Sequence, residues 1–553
     1  MKQLIKNTLS ILNRKERAQL YRLSVLDVLI NILDIAFLIG LLFVIRFYTE
    51  TQHPQTVLGF KIDIFSRYPL FLVSLFLVLF AIKNLIGFLI FKAQYNFVYK
   101  VASRISGDHL LHYLEGTYHD HVHIDSSVYT RKIAQQPIEF CHYVLNGMQT
   151  VFSQVVLISL SVIAILIFNP VLFPLLILVL IPPVILISYL VKRKLAAARE
   201  HGKRTSEKTI QHLQEALDGF VESNLYGRND FFKYRYHSFQ ERLNYFLAEK
   251  QVIQNMPSRL IEVFAVFGLF FLVLLNSYTS GSGAVPIITI GAFMAAAYKI
   301  IPGIVKIMNS IQQAKTYAFT ITDILAASKP FKERKESRKA IQSIAFNSIS
   351  FSYPGKKILD GFSAKFEKGD LVSISGTSGK GKSTIANLLL GFLSEDAGSI
   401  SINGENTIAT ERQAYWSRIA YIKQQPFFIH EPINRNITFS ENGFDKTKLD
   451  DVMNLSGVNK IMNNDNESSS AIVTENGKNF SGGQRQRILF ARALYKDFDC
   501  IILDEPFNEL DQASEKIMLE QLQQIAKNGK IVLLITHNTT ASSFCNRQIF
   551  LDG

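Results

Sequence analysis

The chain has 553 residues and a formal net charge of +13, with 48% hydrophobic and 19% charged residues. That length exceeds one ordinary domain, so two or three are expected, and a mean hydropathy of +0.15 argues against an entirely soluble protein. The apolar residues are unevenly spread: 1–330 hold nearly all the long apolar runs, and 341–553 read as a soluble α/β domain.

At the N-terminus, charges in "NRKERAQ" interrupt the sequence before any apolar core, so no cleavable signal peptide is expected. Leu4, Ile5, Leu9 and Leu12 form a helical stripe beside lysines, which suits a helix lying on the inner membrane surface. Six apolar runs follow, at 25–45, 69–91, 144–168, 171–191, 260–276 and 284–308. Each approaches or exceeds the roughly 20 residues needed to cross a bilayer.

Lys2, Lys6, Arg14, Lys15, Arg17 and Arg22 precede the first run, and 192–258 is equally basic, whereas "NSYTSGSG" at 276–283 carries no charge. The positive-inside rule then puts both termini in the cytoplasm. The net charge is accounted for by these membrane-facing segments, which removes the main support for a nucleic-acid partner. The long connections at 92–143 and 192–259 look helical and charged, so helices are expected to run well beyond the membrane. Cys141, Cys500 and Cys545 are scattered and form no disulfide or metal pattern.

The stretch "SKPFKERKESRK" at 328–339 reads as a linker, bounded at 331–340, between a transmembrane domain over 1–330 and a domain over 341–553. In the latter, "LVSISGTSGKGKSTIANLLLGFL" reads as strand, glycine loop and helix. Gly376, Thr377, Ser378, Gly379, Lys380, Gly381, Lys382 and Ser383 fit the P-loop pattern. Its backbone amides wrap a phosphate, Lys382 reaches the β- and γ-phosphates, and the Ser383 hydroxyl holds Mg²⁺. By itself the loop is compatible with a GTPase, a kinase or any ATPase.

The apolar run in "CIILDEPFNELD" ends in Asp504 and Glu505. Asp504 suits a Mg²⁺ partner at a strand end, and Glu505 suits activation of the attacking water. His537 closes the strand "IVLLITHN", Gln424 follows the strand in "IAYIKQQPFF", and Tyr353 offers an aromatic face for adenine. A second glycine loop, "NFSGGQRQRILFARAL" over 479–494, opens a helix whose positive end favours an anion.

The ordered set Tyr353, P-loop, Gln424, "FSGGQ", "LDE", "NELD" and His537 resembles the ATP-binding domain of ABC transporters. The six runs with long inner connections resemble the membrane domain of ABC exporters, so the chain resembles a half-exporter: an all-α six-helix domain followed by an α/β P-loop domain. The resemblance implies ATP and Mg²⁺ as ligands, with Ser383, Gln424 and Asp504 at the metal and Thr384 and Asp511 added to the nucleotide-binding residues. It implies a second copy of the chain as partner, most simply in a homodimer. Each nucleotide then lies between one P-loop and Ser481, Gly482, Gly483 and Gln484 of the neighbour, which explains why one chain carries two glycine loops.

Departures from the family pattern are Phe480 for leucine, Pro506 for alanine, and Asn508-Glu509 for serine-alanine, the last affecting communication between sites. No N-terminal peptidase domain and no C-terminal regulatory helix after "FLDG" are expected.

"YHDHVHID" at 118–125, with His119, His121 and His123, invites a metal site but falls where exporters dock on the ATP-binding domain, and docking is the preferred reading. Asp27, Asp34, Lys83, Asn84, Glu262 and Lys299 lie in or beside the apolar runs, where ionisable groups are costly. "MPSRLIE" and "AAYKIIPGIVKIMNS" are similar to stretches of lipid-linked oligosaccharide flippases. The expected protein is a homodimeric, inner-membrane ABC exporter that hydrolyses ATP to move an amphiphile outward: a lipid-linked saccharide, a lipid, a peptide or a hydrophobic compound. The alternative is a nucleotide-gated channel or non-transporting membrane ATPase on the same fold.

Overall fold

The computed structural model describes residues 2–49, 56–57, 60–61, 69–116, 118, 124–168, 185, 204–279, 287–327, 336, 339–377, 379–459 and 471–551. They form two compact units: Met1–Gly116 with His121–Phe331, and Lys332–Gly553 with the short segment Thr117–Asp120.

The first unit is helical. Helix α1 (Lys2–Ile11) buries Thr8 and Ile11 and leaves Lys2 and Lys6 exposed. Helix α2 (Arg14–Thr49) starts with a reciprocal cap: Glu16 N donates to Asn13 Oδ1 at 2.8 Å and Asn13 N to Glu16 Oε2 at 2.9 Å. Helix α3 is Pro69–Leu114, and its Arg104 clamps the same Glu16 through Nε and Nη2 at 2.7 and 3.0 Å. That bidentate pair fixes the start of α2 against α3.

A short hairpin pairs Thr56–Val57 with Phe60–Lys61 between these helices. The next helical run passes through two π-helical stretches, Arg131–Gln135 and Phe140–Leu145, before α4 (Asn146–Phe168). Then come α5 (Asn229–Thr279), α6 (Ile287–Thr316) and α7 (Ala318–Ala327).

At about 1.5 Å per residue, the 46 residues of α3 and the 51 of α5 are more than twice the length that a hydrocarbon core of about 30 Å requires. Three helical segments among the described residues are long and apolar enough to cross a membrane: Arg14–Leu41, Leu70–Leu114 and Ser126–Ile167. The apolar runs at 260–276 and 284–308 fall largely on α5 and α6, whereas 171–191 lies almost wholly outside the described residues. Leu70, Phe71, Leu77, Val78, Phe88 and Phe91 of α3 remain exposed, as a lipid-facing surface requires.

Small residues bring α4 and α6 close. A Cβ at Gly303 would lie 3.1 Å from Gln154 Oε1 and 3.2 Å from Ile158, and one at Gly147 would lie 3.4 Å from the Ser310 carbonyl. Asn31 of α2 donates to the Ser153 carbonyl at 3.2 Å and to its hydroxyl at 3.1 Å. Where α3, the second π-helical stretch and α7 meet, Phe97, Val98, Val101, Phe140, Val144 and Ile324 form a tight apolar core.

Lys83 of α3 is not an open cation. Its Nζ lies 2.5 Å from Asp34 Oδ1 on α2 and 4.9 Å from the Phe80 ring centre. Lys83 and Asp34 read in the sequence as separate polar intrusions; the two side chains instead neutralise one another, because an apolar surround makes an unpaired charge costly. The side chains of Glu262 and Lys299 lie outside the described residues.

The second unit is α/β. An antiparallel sheet has strands β1 (Ser343–Tyr353), β2 (Lys356–Glu367), β4 (Ala397–Ile402) and β5 (Glu405–Thr407), in the order β2-β1-β4-β5. A parallel sheet has β3 (Leu371–Ser375), β6 (Ile419–Ile422), β7 (Cys500–Asp504), β8 (Ile531–Ile535) and β9 (Arg547–Phe550), in the order β9-β3-β8-β7-β6. Every residue of β3, β7 and β8 is buried, which accounts for their mainly apolar character; the buried polar exceptions are Ser373 and Ser375 in β3 and Asp504 at the end of β7. Helices α8 (Lys382–Leu389), α9 (Lys446–Ser456), α10 (Gly482–Tyr495) and α11 (Gln512–Lys527) complete the unit. Its two apolar cores contain Phe480 and Phe490 in one and Phe346 and Leu388 in the other.

Breaking the Lys83–Asp34 pair from one side should cost more than removing it whole. Lys83→Leu is expected to destabilise the protein by about 3–5 kcal/mol, with Asp34→Leu/Lys83→Leu returning close to wild type. Unfolding by SDS in mixed micelles checks this; equal stability of the single variant and wild type would contradict it.

Candidate nucleotide site

Parallel register builds the site. Ile535 of β8 pairs with both Ile374 of β3 and Asp504 of β7, so all three strands end at one edge. Such an edge is where α/β sheets place ligands. The chain leaves β3 through Gly376, Gly379 and Gly381, with φ of 153°, 82° and 96°, and enters α8 at Lys382. A side chain at Gly381 would also meet Ile358 at 2.7 Å, so glycine is required there for space as well as conformation.

Lys382 Nζ donates to the carbonyls of Gly376 at 2.7 Å and Thr377 at 3.2 Å, which folds the ammonium back over the loop. Lys380 is exposed and Thr384 buried, while Ser378 lies outside the described residues.

Asp504 is buried at the end of β7, and its Oδ1 has no hydrogen-bond partner. Burial pushes its carboxyl above the usual range, opposed by hydrogen bonds from the hydroxyls of Ser383 and Tyr421. A hard divalent cation taking oxygen ligands suits this arrangement: a hydroxyl and a buried carboxylate together, with one carboxylate oxygen unused. Ser383 and Asp504 would hold Mg²⁺ there. Gln424 is exposed, two residues beyond β6.

Glu505 is also buried, at a φ of 54° that a non-glycine residue adopts rarely. His537 Nδ1 lies 2.7 Å from Glu505 Oε2, close in distance though not aligned as a hydrogen bond, and the histidine ring is largely exposed. One buried acid therefore faces the metal position, and its neighbour faces the exposed imidazole. Tyr353 ends β1 opposite Lys356, whose Nζ lies 3.9 Å from the Cβ position of Gly379.

The second glycine loop forms a separate part of the unit. Ser481 caps α10: its hydroxyl accepts from Gln484 N at 3.3 Å, and Gln484 Oε1 accepts from Ser481 N at 2.8 Å. Phe480 is buried in the core, so the exchange of one apolar residue for another is accommodated by packing. Asp511 caps α11 by accepting from Ser514 N, and hydrogen bonding from Ser514 holds its carboxyl below the usual range.

The segment Thr117–Asp120 belongs to this unit, and Tyr118 stacks on Phe392 with ring centres 4.8 Å apart. The three histidines of "YHDHVHID" lie outside the described residues, among which no group of three or more metal-ligating side chains occurs.

Residues 359–508 match the ABC transporter family. The carboxy-terminal unit is an ABC transporter domain. A "Probable ABC transporter ATP-binding/permease protein" of Haemophilus influenzae is 26% identical over 368 residues, 64% of this chain and 66% of that protein. An "ATP-dependent lipid A-core flippase" of Yersinia pestis bv. Antiqua is 26% identical over 372 residues, 66% of this chain and 63% of the relative. The matched region thus spans slightly less than two thirds of either relative. A solved bacterial Atm1-family ABC exporter with ATP bound superposes with a TM-score of 0.79 at 16% identity, covering 96% of this chain and 94% of that one. The chain therefore has the fold of an ABC exporter, with helical unit and ABC domain in one polypeptide.

Sequence reasoning missed Tyr421. It is the one residue of β6 that is not fully buried, and its hydroxyl reaches Asp504. An aromatic hydroxyl in an otherwise apolar strand, three residues before Gln424, was the available signal.

Removing the Lys382 ammonium should lower ATP affinity about 10–100-fold, the worth of a charge-assisted hydrogen bond. Calorimetry on Lys382→Ala checks this, and unchanged affinity would contradict the assigned role.

Proposed function

We propose that the chain is one half of an ATP-hydrolysing exporter, working as a homodimer in the inner membrane. In this reading both termini and the ABC domain face the cytoplasm, and the cargo is an amphiphile moved outward. The carrying observation is the meeting of the glycine loop, the Ser383–Asp504 couple and the Glu505–His537 pair at one sheet edge, in a chain that also has membrane-length helices.

The chemistry assigned to each group follows from its position. Loop amides and Lys382 would hold the phosphates, and Mg²⁺ on Ser383 and Asp504 would neutralise charge developing on them. Glu505, anchored on His537, would accept a proton from the attacking water. Gln424 and His537 would complete the contacts to water and γ-phosphate, with Tyr353 against the adenine. Ser481, Gly482, Gly483, Gln484 and Asp511 would serve the partner's nucleotide.

For cargo, the flippase relative favours a lipid-tailed molecule. Exposed apolar residues along α3 would leave such a tail in the bilayer. Lys83 is paired with Asp34 and so offers no uncompensated cation to an anionic head, and a sugar-bearing head is as well supported as a charged one.

The test is ATP-driven flipping of fluorescent lipid-linked saccharides in proteoliposomes, comparing wild type with Glu505→Gln. Glu505→Gln is expected to keep nucleotide binding while turnover falls at least about 100-fold, with flipping lost in parallel. Wild-type turnover in Glu505→Gln would overturn the assignment of the base. No flipping by wild type, with ATPase stimulated by a soluble peptide, would replace the lipid by a peptide.

A further inference from the structure

Glu509, between β7 and α11, belongs to neither the glycine loop nor the catalytic pair. Its carboxylate lies on the first turn of α10. Arg485 Nη2 is 3.2 Å from both Oε1 and Oε2. A Cβ at Gly482 would lie 2.5 Å from Oε2 and 2.8 Å from Cδ, so the carboxylate fills the space that a side chain at Gly482 would take. The Glu509 carbonyl is 3.3 Å from the equivalent position at Gly483. The Glu509 side chain is 41% exposed, so it has solvent to move into.

The start of a helix, with free amides and the positive end of the dipole, favours an anion. In this protomer an anion from the same chain already lies against that turn. On the composite-site reading above, the turn of one subunit receives the γ-phosphate bound by the other. A carboxylate and a phosphate beside that turn repel one another, and Arg485 is the donor that holds the carboxylate there.

We propose that Glu509 is a displaceable internal anion on the signature turn, held by Arg485, that sets the ATP concentration at which two ABC domains close. Docking of the partner's nucleotide releases the carboxylate to solvent. This deepens the proposed function and rests on its composite site.

The experiment uses full-length protein in nanodiscs on the Glu505→Gln background, reading ATP occluded against ATP concentration. Glu509→Gln keeps shape without charge; Glu509→Ala removes both. Both are expected to lower the half-saturating ATP concentration about tenfold at low salt. The gap should narrow in about 1 M salt, where the screening length falls to about 3 Å.

A merely structural salt bridge would leave Glu509→Gln with the parent's ATP dependence at both salt concentrations, and that result would overturn the proposal. A higher ATP requirement in either variant would also overturn it, by showing that the carboxylate assists closure. Failure of the Glu505→Gln parent to occlude ATP would instead remove the composite site, and this inference with it.

Discussion

A buried carboxylate at the end of an apolar strand is the constraint around which the ABC domain is arranged. All five residues of β7 are buried, and the strand delivers Asp504 into a position where burial disfavours its charged form. Two hydroxyls meet it, from Ser383 and Tyr421, and one oxygen stays unpaired. Uncompensated charge in such a place costs several kcal/mol, a cost that a divalent cation would offset. Parallel pairing with β3 and β8 brings the glycine loop and His537 to the same edge as Asp504.

The two glycine-rich turns solve different problems with the same residue. Gly376, Gly379 and Gly381 need positive φ to curl the backbone. Gly482 is ordinary in conformation but crowded, with Glu509 where its side chain would be. One turn is built for curvature and the other for close approach. The first meets Asp504 through Ser383, and the second meets Glu509 and its Arg485 partner.

Much of this architecture is readable in the residues. Short apolar-rich runs report the buried parallel strands, and glycine spacing reports the loop, because both follow from local backbone geometry. Apolar runs report helices long and apolar enough to cross a membrane for the same reason, and α3 and α5 run well past the apolar segments they carry. Long-range pairing is what local pattern cannot carry. Lys83 meets Asp34 across 49 positions, and Arg104 meets Glu16 across 88. The contacts of Tyr421 with Asp504 and of Glu509 with Arg485 also depend on how strands and helices pack. The two π-helical stretches inside an otherwise regular helix leave no periodic trace either.

The proposed exporter depends on each nucleotide being shared between a glycine loop of one subunit and the signature turn of the other. Two mixed dimers test this with identical substitutions. One carries Lys382→Ala on one subunit and Ser481→Arg on the other; the second carries both on the same subunit, opposite a wild-type partner. Sharing puts both lesions in a single site in the first dimer and one lesion in each site in the second. Vanadate-trapped nucleotide is therefore expected in the first dimer, at about half the wild-type amount, and lost in the second. Equal trapping by the two dimers would contradict shared sites.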